Sequence, residues 1–192
     1  MGSRTERRFR LLSICALPVL LVASYGVFAW RNIEDYVQRN ELSIRENNEQ
    51  KAYAGALWRL EKVRLIGDGR DTKVTFPGER RLLIVRLAAK AEGEIGDAWF
   101  DCRMSLTDGS GRQWAPLDFI SSDTISRTLD PQAKPVEGCA AASRQPPARD
   151  AEVEIEEKFV IPASAAQSLQ ARLSFASTRP EALALPLGLQ QN

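Results

Sequence analysis

The chain has 192 residues, a net charge of +1 and 27% charged side chains. A charge balance this close to neutral does not indicate a nucleic-acid partner, and we expect none. The sequence contains no histidine, so the usual general base, imidazole metal ligand and pH switch are missing. Ser-His-Asp and Cys-His hydrolases and the common zinc sites are excluded as they are normally built. We therefore expect a protein that is not an enzyme and that holds neither a metal nor a cofactor.

Residues 1–30 have the pattern of a cytoplasmic basic segment followed by a transmembrane helix. Residues 11–30, LLSICALPVLLVASYGVFAW, contain no charged residue, and a helix of this length crosses a hydrocarbon core of about 30 Å. The basic segment, residues 1–10, has one acid, Glu6, against four arginines: Arg4, Arg7, Arg8 and Arg10. Because the positive flank stays in the cytoplasm, the sequence predicts a single-pass protein of the bacterial inner membrane. Its C-terminal domain would be periplasmic or extracellular.

A cleaved signal peptide is the alternative interpretation of this segment. Val27, Phe28 and Ala29 place small residues at the spacing that permits cleavage after Ala29. The apolar run is longer than the usual signal-peptide core of about 7 to 15 residues, so we favour the uncleaved anchor.

Residues 31–56 are predicted to be a helical stalk or linker. Residues 31–51 lack Gly and Pro and contain two acid-first pairs at i,i+4 spacing, Asp35 with Arg39 and Glu41 with Arg45. The sequence therefore predicts that the membrane helix continues to about residue 50. Ile33, Val37 and Ile44 would share one face of it, which allows a homodimer seam. We favour a solvated stalk, because three apolar residues define only a weak stripe.

Residues 57–192 change to an alternating apolar pattern that predicts strands with one buried face. Five such rows lie at 83–91, 100–106, 153–161, 169–175 and 183–189. A change of phase between Leu60 and Val63 predicts a bulge, and Pro186 in the last row predicts an edge strand. Seven or eight short strands with no convincing helix between them predict an all-β fold, an antiparallel immunoglobulin-like β-sandwich.

The stretch 120–150 departs from this pattern. It is rich in Pro, Ser and Ala, and we predict a long irregular excursion between strands. Cys139 lies in it and Cys102 lies on a predicted inward strand face; they are the two cysteines outside the membrane segment. Because thiols oxidise outside the cytoplasm, we predict a Cys102–Cys139 disulfide, stabilising by about 4 kcal/mol. The alternative is one buried and one free cysteine.

Two further groups are candidate sites that we assign to ordinary roles. Alternating acids point in parallel into water instead of converging on a cation, so we predict a solvated face for the densest acidic cluster: Glu152, Glu154, Glu156 and Glu157. We expect packing roles, not ligand stacking, for Trp58, Trp99 and Trp114.

Two stretches of the outer domain have a recognisable shape. Residues 82–119, LLIVRLAAKAEGEIGDAWFDCRMSLTDGSGRQWAPLDF, contain a hydrophobic strand, a short gap, a second strand ending in L-T-D, and G-x-G-R-x-W. This run resembles the extracytoplasmic immunoglobulin-like domains of the telokin-like, DUF4352 sort, which are often tethered to bacterial membranes. The later FVIPASAAQSLQARLSF resembles their closing segment. The resemblance implies a fold and a compartment, and it carries no catalytic residue to this chain.

The expected function is that of a membrane-anchored interaction module, which binds a protein partner or scaffolds an envelope complex. The alternative is a sensor domain for a small ligand or a cation.

Overall fold

A computed structural model describes residues 4–46, 51–67, 76–132 and 135–188. The chain divides after Asn40 into two units, residues 1–40 and residues 41–192. The first unit consists of helix α1 (Arg4–Arg39), which contains Pro18. From Ile14 to Arg39 this helix is long and apolar enough to cross a membrane. The apolar N-terminal helix predicted from residues 11–30 is thus present.

The predicted continuation of this helix to about residue 50 is wrong. α1 ends at Arg39, and the Asn40 side-chain amide donates to the Tyr36 carbonyl at 2.7 Å. Strand β1 (Ser43–Glu46) follows, so Ile44 lies on a strand and cannot share a helical face with Ile33 and Val37. The physical reason is tertiary: β1 satisfies its backbone by pairing in parallel with a distant strand, β9 (Glu181–Pro186). Residues 47–50 lie outside the described residues.

The second unit contains two sheets. The five-stranded sheet has the order β1-β9-β8-β5-β6, with β5 at Arg103–Thr107, β6 at Gln113–Trp114 and β8 at Gln170–Ser174. The four-stranded sheet has the order β2-β3-β4-β7, and its strands are β2 (Lys51–Tyr53), β3 (Ala56–Ile66), β4 (Arg80–Ala91) and β7 (Glu152–Pro162). Two 3₁₀ turns, Gly96–Trp99 and Ala163–Ser168, lie between strands. All described pairings other than β1 with β9 are antiparallel.

The main core contains residues from both sheets, and it includes the apolar rows that alternation predicted. Trp58, Trp99 and Phe175 are fully buried at its centre, with the two indole rings 5.0 Å apart. The packing role expected for Trp58 and Trp99 is therefore confirmed. Trp114 is half-buried and has the Arg112 guanidinium 5.4 Å from its ring centre.

The sequence predicted a bulge near Leu60 and an edge strand at Pro186, and the structure confirms the first and contradicts the second. The register of β3 against β4 shifts between Leu60 and Lys62, which confirms the predicted bulge. The edge-strand prediction for Pro186 is wrong, because β9 lies between β8 and β1. Pro186 is tolerated there because β1 pairs only with Glu181 to Ala184, so no neighbour on that side needs its missing N–H.

The stretch 120–150 is not wholly irregular, and the prediction of no helix between strands is wrong. Helix α2 (Phe119–Leu129) begins at Asp118, whose carboxylate accepts the Ser121 N–H at 3.0 Å. Its Ile125 and Leu129 pack on a second cluster of buried residues made by Ile66, Leu82 and Ile84. Ile66, Leu82 and Ile84 alternate along their strands with the residues that face the main core, so they lie on the opposite side of the sheet. α2 therefore covers the outer side of the four-stranded sheet. A short helix, α3 (Cys139–Arg144), follows.

Candidate functional site

The two outer cysteines meet at the junction of α3 and β5. The structure joins Cys102 and Cys139 in a disulfide, with Cα atoms 5.5 Å apart and a sequence separation of 37. Cys102 directly precedes β5 instead of lying within it. Its N–H also donates to the Ser143 hydroxyl at 2.9 Å, and that hydroxyl donates to the Trp99 carbonyl. The geometry suits a bridge that holds α3 against β5; its formation in the purified protein stays a prediction for mass spectrometry.

Two of the four acids predicted to form a solvated face, Glu152 and Glu154, are exposed, whereas Glu156 and Glu157 are half-buried. The Glu156 carboxylate lies 2.8 Å from Arg86 and 2.9 Å from the Lys158 amine. The Lys158 side chain is only 2% exposed, and that of Glu156 is 12% exposed. Lys158 also donates to the Ser122 hydroxyl of α2 at 3.2 Å. α2 lies over the outer face of the sheet and removes the charges of Glu156 and Lys158 from water.

Burial and pairing act in opposite directions on the pKa of Glu156. Burial raises it, but the hydrogen bonds from Lys158 and Arg86 outweigh burial, and the pKa falls below its usual value. Glu154, which contacts Arg86 at 3.2 Å, is 42% exposed. Two glutamates on the same strand thus bind one arginine from different environments.

Glu157 belongs to the inward row of β7, opposite Val85. Its carboxylate accepts the Cys139 N–H at 2.7 Å, at the start of α3. Burial raises the pKa of Glu157 more than this hydrogen bond lowers it. Gly138 lets the carboxylate approach, because a Cβ at that position would lie 2.8 Å from the Glu157 Oε1.

The outer face of the five-stranded sheet carries a polar patch that alternation did not single out. Arg172 on β8 lies between Ser105 of β5 and Ala184 of β9. Ser174 lies on the same side of β8, and its hydroxyl donates to the Glu41 Oε1 at 2.5 Å. We call Glu41, Ser105, Arg172, Ser174 and Ala184 the Arg172 patch. Ser174 and Ala184 are fully buried, Ser105 is nearly so, and Arg172 and Glu41 are half-buried.

This patch holds both of the buried side-chain polar atoms that lack a hydrogen-bond partner in the described part of the chain. They are the Glu41 Oε2, an acceptor, and the Arg172 Nε, a donor. A buried polar atom without a partner costs about 1 to 3 kcal/mol, so native structures contain few of them.

Sequence reasoning missed the patch for a definite reason. Arg172 and Ser174 alternate with the inward row at 169–175, and a polar residue on the outward side of a strand needs no explanation. Only the pairing of β8 with β5 and β9, and the approach of Glu41, bury parts of that face. No group of three or more Cys, Asp or Glu side chains able to hold a metal ion lies among the described residues.

No family model and no curated protein matches the chain. The chain is similar to the solved structure of the yjhA protein from Bacillus subtilis, with 13% identity and a TM-score of 0.39, over 67% of this chain and 80% of that one. A conserved hypothetical protein from Bacillus anthracis matches with 8% identity and a TM-score of 0.41, over 67% and 87% of the two chains. An uncharacterized β-sandwich protein from Clostridium difficile 630 matches with 6% identity and a TM-score of 0.37, over 76% and 95%. Membership in the DUF4352 family is not shown, and the β-sandwich architecture rests on the two sheets of the chain itself.

Proposed function

We propose that the chain is a membrane-anchored interaction module whose β-sandwich binds a protein partner, or scaffolds an envelope complex, through the outer face of the five-stranded sheet. The observation that carries this proposal is Arg172, a half-buried arginine on this face for which the structure gives no salt bridge with a described residue. Arginine is enriched at protein interfaces, where its guanidinium can pair with a carboxylate of the partner.

The proposed location is the bacterial inner membrane, with the N-terminus cytoplasmic and the sandwich periplasmic or extracellular. The apolar helix and the arginines before it support this topology. The disulfide geometry of Cys102 and Cys139 supports an oxidising compartment. N-terminal sequencing of the mature protein tests the anchor, because a chain that begins at Trp30 would show cleavage after Ala29.

The proposed fold type is immunoglobulin-like, and the strand order supports it. β3-β4-β7 corresponds to strands A, B and E of one sheet, and β9-β8-β5-β6 to strands G, F, C and C′ of the other. In chain order, strand D of this fold would follow β6 and precede β7. The connection that contains α2 and α3 stands at that point of the sequence.

Site-directed photocrosslinking of the full chain in its native membranes tests the function. A photoreactive phenylalanine analogue replaces Gln113, an exposed residue whose amide donates to Ser105 in the patch. The matched control replaces Arg64, which is exposed on the other sheet. We expect a discrete protein adduct from position 113 and a much weaker one from position 64. Equal yields, or no adduct at position 113, would contradict the proposal.

A small-ligand or cation sensor is the alternative function. A thermal-shift screen of the full chain in detergent addresses it directly. A ligand that stabilises the sandwich while leaving the adduct at position 113 intact would favour a separate sensing site.

A further inference from the structure

A half-buried carboxylate lies beside the disulfide, and the proposed interaction function does not use it. The Glu157 Oε1 accepts the Cys139 N–H at 2.7 Å, and Glu157 is half-buried. Its chain neighbours Glu156 and Lys158 pair with each other at 2.9 Å, and Glu157 forms no salt bridge with a residue that the structure describes. The negative charge of Glu157 is therefore held next to Cys139 outside any such ion pair.

The same hydrogen bond limits the distance between the Glu157 carboxylate and the Cys139 sulfur. Three covalent bonds separate that sulfur from the Cys139 nitrogen, so the Cys139 Sγ lies at most about 7 Å from the Glu157 Oε1. Two unit charges at this separation repel each other appreciably in a protein, where the effective dielectric constant is about 20. Gly138 permits the approach, because a Cβ there would lie 2.8 Å from the same oxygen.

The two cysteines of the bridge differ in their exposure. Cys139 is 3% exposed, whereas Cys102 is half-buried and directly precedes β5. A thiolate must reach the sulfur that it attacks. We therefore expect a reductant to attack Cys102, which makes Cys139 the leaving group.

A dithiol such as dithiothreitol would reduce this bridge in two exchanges. In the first, a dithiothreitol thiolate bonds to the Cys102 Sγ, the bond between the two protein sulfurs breaks, and its electron pair leaves on the Cys139 Sγ as a thiolate. In the second, the other thiolate of the reductant attacks the reductant's own sulfur in the mixed disulfide. The Cys102 thiolate is then released, and dithiothreitol becomes a cyclic disulfide.

The first exchange creates a negative charge beside Glu157. A neighbouring carboxylate and burial both disfavour an ionised thiol, and a thiol that ionises less readily leaves more slowly. We propose that Glu157 protects the Cys102–Cys139 bridge of the folded protein from thiol reductants, by opposing the charge that must form on the Cys139 sulfur. This inference does not rest on the proposed interaction function.

The rate of bridge reduction in the full chain tests the proposal. The chain carries Cys15→Ser, so that only the two bridge cysteines are counted, and mass spectrometry first verifies the bridge. Dithiothreitol is then added in detergent at pH 7, and the free thiols are alkylated and counted by mass over time. Glu157→Gln removes the charge while its amide oxygen can still accept the Cys139 N–H. We expect reduction about 10-fold faster in this variant, and no change in Glu154→Gln, an exposed position on the same strand.

Two further measurements separate the charge of Glu157 from its packing. Glu157→Ala removes the charge together with the hydrogen bond, so a charge effect predicts that Glu157→Gln already shows most of the acceleration. In denaturing urea Glu157 is no longer held beside Cys139, from which it is 18 residues distant in sequence, and the rates should become equal. Tryptophan fluorescence checks that each variant is folded. If Glu157→Gln unfolds, Glu157→Asp, which keeps the charge, is compared with Glu157→Asn, and the Asn variant should be reduced faster.

Several results would overturn the inference. These are equal rates for the folded wild type and Glu157→Gln, acceleration by Glu157→Ala alone, the same acceleration by Glu154→Gln, and a difference that persists in urea. Two free thiols in the purified protein would also overturn it, because there would be no bridge to protect. None of these results bears on the adduct at position 113, so the inference and the proposed function fail separately.

Discussion

Replacing Glu156 with Gln should destabilise the sandwich far more than the same change at Glu154. Both carboxylates contact Arg86, at 2.8 and 3.2 Å. Glu156 also neutralises Lys158, whose side chain is 2% exposed. In Glu156→Gln the buried ammonium loses this counter-charge and keeps the Ser122 hydroxyl as a hydrogen-bond partner.

The magnitude follows from the two environments. Removing one member of a buried ion pair costs about 3 to 5 kcal/mol. The Gln oxygen still accepts one hydrogen bond from Lys158, so we expect about 3 kcal/mol for Glu156→Gln. Glu154 is 42% exposed, and exposed pairs contribute below about 1 kcal/mol. Glu154→Gln is therefore the matched control.

Urea denaturation of the full chain in detergent measures the difference, because urea does not screen charges. Fluorescence of Trp58 and Trp99, both fully buried in the sandwich core, reports its unfolding. Combining Glu156→Gln with Lys158→Met should recover part of the loss, since the unpaired ammonium is then removed. Equal destabilisation by Glu156→Gln and Glu154→Gln at pH 7 would refute the reasoning.

The same comparison has a defined pH dependence. The pKa of Glu156 is lowered in the folded protein, so the folded state favours its ionised form. This stabilisation is complete above the unfolded pKa of about 4.3 and is lost as the pH falls through the folded pKa. The stability gap between wild type and Glu156→Gln should therefore shrink in acid.

The remaining predictions concern the connection between β6 and β7. Replacing Cys102 and Cys139 with Ser should lower the free energy of unfolding by about 4 kcal/mol for a loop of 37 residues, and a wild-type midpoint that is unchanged by reductant would contradict this. Glu157→Gln should be neutral or stabilising at pH 7, because burial raises the pKa of Glu157 and the amide oxygen of Gln still accepts the Cys139 N–H. Any gain in stability should disappear below the unfolded pKa of about 4.3, where the carboxyl is protonated in both the folded and the unfolded state. Urea titrations at several pH values measure this. Gly138→Ala should lower the free energy of unfolding by about 1 to 2 kcal/mol, because the new Cβ displaces the Glu157 carboxylate. In a Glu157→Ala background the same change should cost much less. If the losses of the two single variants simply add in the double variant, the contact is not the cause.

The connection also shows why its helices escaped prediction. α2 is rich in Ser and Thr, and three of its hydroxyls donate to carbonyls four residues earlier, a pattern that gives little helix propensity. It has no fully buried residue, so its apolar periodicity is weak. One local signal was present: Asp118 stands at the position of an N-cap, and its carboxylate accepts the Ser121 N–H.

The sequence by itself determined the apolar N-terminal helix, the inward rows of the strands and the bulge near Leu60. Each of these depends on hydrophobicity or on a two-residue period, which are local properties. Tertiary structure alone decided that residues 43–46 form a strand and not a helix, because their backbone pairs with β9, more than a hundred residues away. It also decided which charges are buried. Lys158 is covered by α2, and Arg172 keeps an unsatisfied Nε between neighbouring strands. Alternation tells which side of a strand a residue faces, but whether that side meets water depends on what packs against it.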